Sequence, residues 1–260
     1  MSAAARLDVR VAPGELAPGE LAGRLAVVVD VLRATSTMVQ ALSAGARAVV
    51  PVETLEEAVR VAERLGRPAA LLCGERQGVR IDGFELGNSP REFTEARVAG
   101  RTLVMTTTNG TLALLAACAA ARTLVGSFLN LSAVAEAVHG DARDAVIVCA
   151  AREGRFALED ALLAGALALR VRELRGGRLD TDDAGFAAMA LARRFEERPA
   201  LTLANTAAGR RLTAIGLGAD VAWCARIDAL PVLAELRQRQ VVLAEDAAAV
   251  RSPGHGEVDA

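Results

Sequence analysis

The feature that most constrains this chain is a recurrence of short, uninterrupted apolar runs of strand length, separated by segments of helical period. Leu25 to Val29, Ala46 to Val52, Ala69 to Cys73, Leu103 to Met105, Thr123 to Val125 and Ala145 to Cys149 are continuous rather than alternating, as expected of strands covered on both faces. Between them, residues such as Leu55, Ala58, Val59, Ala62 and Leu65 recur at three-to-four spacing, the apolar stripe of a helix. This alternation predicts an α/β protein, a three-layer α/β/α sandwich with a mainly parallel sheet. From about Arg155 the chain reads as mostly helical, punctuated by Gly176-Gly177 and Pro199. No composition shift marks a linker, so 1–245 is expected to form a single α/β domain, followed by a flexible tail over 246–260.

Composition then removes whole classes of chemistry. The chain contains no lysine, so all 30 basic residues are arginine. Schiff-base catalysis, a pyridoxal-phosphate anchor and the lysine-bearing phosphate loop are excluded. The two histidines, His139 and His255, are too few for a His-rich zinc site. A net charge of −2 with interspersed signs, and aromatics at 3%, leave neither an electrostatic footprint nor stacking platforms for nucleic acid. Cys73, Cys118, Cys149 and Cys224 form no C-x-x-C pair and read as buried, reduced thiols. Charges interrupt every apolar stretch before membrane-spanning length and the N-terminus lacks a signal-peptide core, so a cytoplasmic protein without a membrane partner is expected.

Three of the apolar runs pass directly into polar, turn-forming clusters, which in a parallel sheet would emerge together at the carboxyl edge, where open α/β folds bind ligands. The first cluster is Asp30-Val31-Leu32-Arg33-Ala34-Thr35-Ser36-Thr37. Its carboxylate can hold a metal ion, while Arg33 and the hydroxyls Thr35, Ser36 and Thr37 at a helix start receive an anion. Alternatively, Asp30 caps the helix and Arg33 is its surface partner. The second, Thr106-Thr107-Thr108-Asn109-Gly110-Thr111, can present hydroxyls and N–H groups to a phosphate without any lysine, or serve as a neutral capped turn. The third, Arg152-Glu153-Gly154-Arg155 followed by Glu159-Asp160, combines arginine forks suited to a multiply anionic ligand with acids that the helix dipole favours in any case.

A further stretch, Cys73-Gly74-Glu75-Arg76-Gln77-Gly78 leading to Gly83-Phe84-Glu85-Leu86-Gly87-Asn88-Ser89-Pro90, is rich in glycine. Glu75 follows a strand and caps nothing identifiable, which makes it a metal-ligand candidate. Ser89-Pro90-Arg91-Glu92 has the form of a capping box, so Ser89 is expected to cap a helix. His139, before Gly140, is expected at a helix end.

Taken in order, Val29-Asp30-Val31-Leu32-Arg33-Ala34-Thr35-Ser36-Thr37, Gly74-Glu75, Gly83-Phe84-Glu85-Leu86-Gly87-Asn88-Ser89-Pro90, Thr106 to Thr111 and Glu159-Asp160 with Ala164-Gly165 resemble the 2-phosphosulfolactate phosphatase (ComB) family. Ala204 to Asp228 looks like that family's less distinctive C-terminal part. The resemblance implies a magnesium-dependent acid phosphatase with an α/β/α sandwich. Its reaction would convert 2-phosphosulfolactate to sulfolactate and phosphate in coenzyme M biosynthesis. Glu85 departs from the family pattern, which has aspartate there.

On this resemblance Asp30, Arg33, Glu75 and Arg152 are the expected catalytic residues, with Asp30, Glu75 and Asp160 holding Mg2+. Thr35, Ser36, Thr37, Asn88, Thr107, Thr108, Asn109, Gly110, Thr111 and Arg155 would bind a small anionic phospho-acid. The nucleophile is either a metal-bound water or Asp30 itself. The D-x-D pattern of haloacid dehalogenase phosphatases is absent, since position 32 is leucine. Two other readings stand beside this one: a phosphatase of the same fold acting on another hydroxy-acid phosphate, and a non-catalytic small-anion binding protein. The helical C-terminal third can cover its own sheet or join a second copy in a homodimer.

Overall fold

Each apolar run becomes a strand because it has no polar face to offer water. The computed structural model describes residues 5–67, 69–195 and 198–244; the expected tail at 246–260, with His255, lies outside them. The strands are β1 (Leu7–Arg10), β2 (Leu25–Val29), β3 (Ala48–Pro51), β4 (Ala70–Arg76), β5 (Val79–Arg80), β6 (Thr102–Thr106), β7 (Arg122–Gly126), β8 (Ala145–Cys149), β9 (Ala234–Arg237) and β10 (Gln240–Leu243). The helices are α1 (Ala34–Ser43), α2 (Leu55–Leu65), α3 (Glu95–Val98), α4 (Gly110–Ala116), α5 (Leu131–Gly140), α6 (Leu158–Leu174), α7 (Asp183–Phe195), α8 (Pro199–Asn205), α9 (Ala207–Ala214) and α10 (Gly218–Cys224). Every residue of β2, β6 and β8 is buried. His139 lies in the last turn of α5. No helix among the described residues is long and apolar enough to cross a membrane.

The mixed α/β class holds and most strand pairings are parallel, as expected, but an antiparallel hairpin interrupts the sheet. Its order is β1-β8-β2-β7-β9-β10-β3-β6-β4-β5. β1, β8, β2 and β7 are mutually parallel, and so are β3, β6 and β4. Between these blocks sits the hairpin β9–β10, antiparallel to both neighbours. Three successive antiparallel pairings reverse direction, so the two parallel blocks run in opposite senses.

In a flat sheet the carboxyl ends of the two blocks would face opposite edges, yet here they meet. One hydrophobic cluster explains this: Ala26, Val28 and Val148 of the first block share it with Leu71, Leu103 and Met105 of the second. Met38 and Leu42 of α1 and Leu114 of α4 complete it. The sheet therefore turns back through the hairpin around α1 and α4. Outside, Val27 and Ile147 pack with Leu163 and Leu167 of α6, and Leu72 and Val104 pack with Ala58 and Ala62 of α2. Two parallel blocks sharing an inner helical layer thus replace the expected three-layer sandwich.

The hairpin was invisible to the pattern of apolar runs. β9 and β10 carry Glu235, Arg237 and Gln240, and their two-residue turn is Gln238-Arg239, both at positive φ (49° and 62°). Such turns normally announce themselves with Asn or Gly. One thiol also departs from expectation: Cys73, Cys149 and Cys224 are buried, whereas Cys118 is exposed, because it lies in the turn Ala117–Ala119 that frays the end of α4.

α6 and α7 cross at Gly165, where an added Cβ would stand 1.9 Å from the Ala188 carbonyl oxygen. Gly165→Ala is expected to destabilise the protein by about 1–3 kcal/mol through overpacking, read as a lower denaturant midpoint with unchanged slope.

Candidate active site

Asp30 sits immediately beyond β2, only 8% exposed. Its Oδ1 accepts the Ala34 N–H at 3.2 Å, while Oδ2 faces Gly110, where a Cβ would lie 2.6 Å away. Glycine at 110 therefore lets α4 approach the carboxylate. The three hydroxyls after Arg33 do not reach the cleft, contrary to the expectation that they bind a ligand. Thr35 Oγ1 donates to the Asp30 carbonyl at 2.9 Å, Ser36 Oγ to the Val31 carbonyl at 2.9 Å and Thr37 Oγ1 to the Asn88 carbonyl at 3.0 Å. All three are fully buried. They tie the first turn of α1 down, since hydroxyls there compete effectively for nearby backbone groups.

Glu75, near the end of β4, is held from both sides. Its Oε1 accepts the Thr108 N–H and hydroxyl, each at 2.9 Å, and its Oε2 accepts the Gly78 N–H at 2.6 Å. Thr107, Thr108 and Asn109 line the cleft with Asn88, but Thr111 does not: its hydroxyl donates back to the Thr107 carbonyl at 3.0 Å. Asn109 Oδ1 accepts the Glu153 N–H at 3.1 Å, joining the loop after β6 to that after β8.

On the opposite wall Asp160 opens α6 and is buried. Its Oδ1 accepts the Val31 N–H at 2.9 Å and its Oδ2 the Ala151 N–H at 3.2 Å. Glu159 and Arg152 line the cleft beside it. Arg155 does not; its backbone pairs with Arg152 and its side chain is exposed, because the reversal at Glu153-Gly154, both at positive φ, turns it outward.

Arg33 has a partner that no local motif announces. Its Nη1 donates to Asp220 Oδ2 of α10 at 2.7 Å and its Nη2 to the Gly78 carbonyl at 2.8 Å, and both charged side chains are almost fully buried. Ser89 Oγ donates to the other oxygen of Asp220 at 2.7 Å and makes no capping bond, so the expected cap is instead a tether between the loop before Pro90 and α10. Sequence reasoning also missed Gln77, Gly78, Ala208, Arg211 and Leu212 on the cleft wall. Glu85 lies elsewhere: its Oε2 accepts the Leu72 N–H at 2.9 Å and its Oε1 pairs with Arg67. The replacement of the family aspartate at that position therefore does not touch the cleft.

The electrostatics of the cleft are dominated by carboxylates out of water. Burial, reinforced by the charges of Glu75 and Glu159, pushes the Asp30 carboxyl up to about 7, against the pull of the Ala34 N–H and of Arg33. Burial and the neighbouring charges of Asp30 and Glu159 push Asp160 well up. Burial raises Glu159 too, against hydrogen bonding and the nearby Arg152. Such a cluster favours a proton or a cation. Among the described residues no three His, Cys, Asp or Glu side chains stand together closely enough to hold an ion, so Asp160, the third metal candidate, does not complete a three-ligand group with Asp30 and Glu75. Asp160 is turned to backbone N–H groups by both oxygens, whereas among the described residues Oδ2 of Asp30 accepts no hydrogen bond. Hard oxygens in this number suit magnesium, which is commonly held by one or two carboxylates with water and phosphate oxygens.

Scaffold and cleft together define an α/β protein with an acidic, arginine-flanked pocket assembled where two parallel blocks converge. A family profile described as 2-phosphosulpholactate phosphatase matches residues 11–239. A probable 2-phosphosulfolactate phosphatase of Symbiobacterium thermophilum is 42% identical over 237 residues, covering 91% of this chain and 100% of that protein. Proteins of the same description from Thermotoga petrophila (39% identity, 92% and 99% coverage) and Caldanaerobacter subterraneus (37%, 85% and 90%) are also similar. The chain belongs to the 2-phosphosulfolactate phosphatase family and is a hydrolase of that type.

A carboxyl held near 7 against an ordinary 3.8 means the fold prefers Asp30 protonated. Its stabilising contribution is complete below about pH 4 and is lost as the pH rises through about 7. Asp30→Asn, which mimics the protonated form, is therefore expected to become more stable than the wild type across that window. Thermal midpoints of both proteins, measured in chelator from pH 4 to 8, check this; a difference that shrinks with rising pH contradicts it.

Proposed function

We propose that this chain hydrolyses 2-phosphosulfolactate to sulfolactate and phosphate, assisted by magnesium, as a step of the coenzyme M biosynthesis type. The observation that carries this reading is the convergence of desolvated carboxylates with Arg152 and the Thr107–Asn109 turn in one cleft of a family chain. Phosphate-ester cleavage needs its non-bridging oxygens neutralised, a nucleophile in line and the departing oxygen stabilised. Asp30, through Oδ2, and Glu75 are the residues that would hold magnesium, which supplies positive charge to the phosphate oxygens.

The remaining roles fall to the chain's own groups. Arg152 forms no ion pair among the described residues and offers its fork to phosphate oxygens. Thr107 and Asn88 border the same space; Asn88 Oδ1 is buried and has no hydrogen-bond partner among the described residues, ready to accept from a bound O–H. Glu159, whose proton affinity burial raises, takes the proton from an attacking water as the water oxygen bonds to phosphorus. The bond from phosphorus to the C2 oxygen breaks, and that oxygen gains a proton from solvent to give sulfolactate. A base of raised proton affinity favours attack by water over attack by Asp30.

Phosphate release from 2-phosphosulfolactate and 2-phospholactate, with and without chelator, tests the proposal. Release abolished by chelator and restored by magnesium is expected. Release indifferent to chelator removes the metal, activity confined to a different hydroxy-acid phosphate changes the substrate, and no release from any phospho-acid leaves an anion-binding protein. Asp30→Asn is expected to lower turnover by at least about two orders of magnitude while the far-ultraviolet spectrum stays native, since a charged ligand is lost at constant volume.

A further inference from the structure

The two-residue turn Gln77-Gly78 links three parts of the cleft. The Gly78 N–H donates to Glu75 at 2.6 Å, the Gly78 carbonyl accepts Arg33 at 2.8 Å, and the Gln77 carbonyl accepts Nη2 of Arg211 at 3.2 Å. Two guanidinium groups therefore meet one turn but differ in state. Arg33 is neutralised by Asp220 in a buried pair, which leaves it little charge for a ligand. Arg211 lines the cleft, half-buried, and among the described residues has no carboxylate partner.

Its backbone is also held firmly. α9 is capped by Thr206, whose hydroxyl accepts the Gly209 N–H at 3.0 Å. Gly209 packs so closely on α8 that a Cβ would stand 1.9 Å from the Leu203 carbonyl oxygen, and Leu212 is buried beside it. A fork on a fixed helix, with donors unused, is pre-organised for a planar or tetrahedral anion. The carboxylates Asp30, Glu75, Glu159 and Asp160 line the same cleft, and Arg152 is assigned to the phosphate, so a second acid group of a substrate needs a cationic partner of its own.

We propose that Arg211 is the specificity-determining residue of this site, binding the acid group farthest from the phosphate. On the function proposed above, from which this follows, that group is the sulfonate. Arg152 then serves the phosphate, Arg33 holds the turn in place, and Arg211 separates a sulfonated phospho-acid from one that lacks the sulfonate.

The test compares wild type, R211Q and R211K on 2-phosphosulfolactate and 2-phospholactate, and measures calorimetric binding of sulfolactate and lactate. In R211Q, kcat/KM for the sulfonated substrate is expected to fall by about 10- to 100-fold more than for 2-phospholactate, mainly through KM, as loss of one charge-assisted contact predicts. R211K, with the charge but not the fork, is expected to recover part of that preference. Equal losses on both substrates, or no loss, overturn the assignment. A wild type that cleaves neither phospho-acid overturns the function proposed above; the role of Arg211 is then decided by calorimetry, where sulfolactate binding to wild type but not R211Q supports it and equal binding refutes it.

Discussion

Everything around this cleft answers one problem, which is how to keep Asp30, Glu75, Glu159 and Asp160 out of water beside one another. Unpaired buried charge is costly, so the fold surrounds these groups with N–H donors from strand-end loops: Ala34 for Asp30, Thr108 and Gly78 for Glu75, Val31 and Ala151 for Asp160. These donors are fixed dipoles that need not reorganise when charge changes nearby. Asp30 remains raised to about 7 despite them, because its burial outweighs the single N–H it accepts and the pull of Arg33.

The architecture follows from the need to deliver those donors. A single parallel sheet could bring the loops after β2 and β8 together, but the loops after β4 and β6 belong to a block running the other way. Turning the sheet through β9–β10 around α1 and α4 brings the two sets face to face. Gly110 then becomes a steric requirement, because α4 must pass within contact distance of Asp30. The last third of the chain completes the site, since α10 supplies Asp220 and α9 supplies Arg211, both anchored through the Gln77-Gly78 turn or the arginine it binds.

Much of this was legible in the residues. Leu25–Val29 and Ala145–Cys149 were recognisable strands because burial on both faces leaves only apolar side chains. Asp30, Glu75, Thr107, Thr108, Asn109, Arg152 and Asp160 were marked by polar groups abruptly following such runs, and they do gather at one place. Thr35, Ser36, Thr37, Thr111 and Arg155 carried the same mark without reaching the cleft, because a hydroxyl can satisfy a neighbouring carbonyl as readily as a ligand, and a positive-φ reversal can turn a side chain outward. Ser89 resembled a cap, yet its hydroxyl found a carboxylate rather than a backbone N–H.

The sequence by itself determined the α/β class, the strands of both parallel blocks other than β1 and the identity of the carboxylates, because these depend on local hydropathy and on short ordered motifs. It also determined that any anion must be met by arginine, since no lysine exists to do so. Only the tertiary structure decided that the blocks oppose one another, that Arg33 is paired with Asp220 187 residues away, and which arginines retain their charge for a ligand. Those outcomes depend on the direction of a polar hairpin and on contacts between distant helices, which neither hydropathy nor spacing encodes.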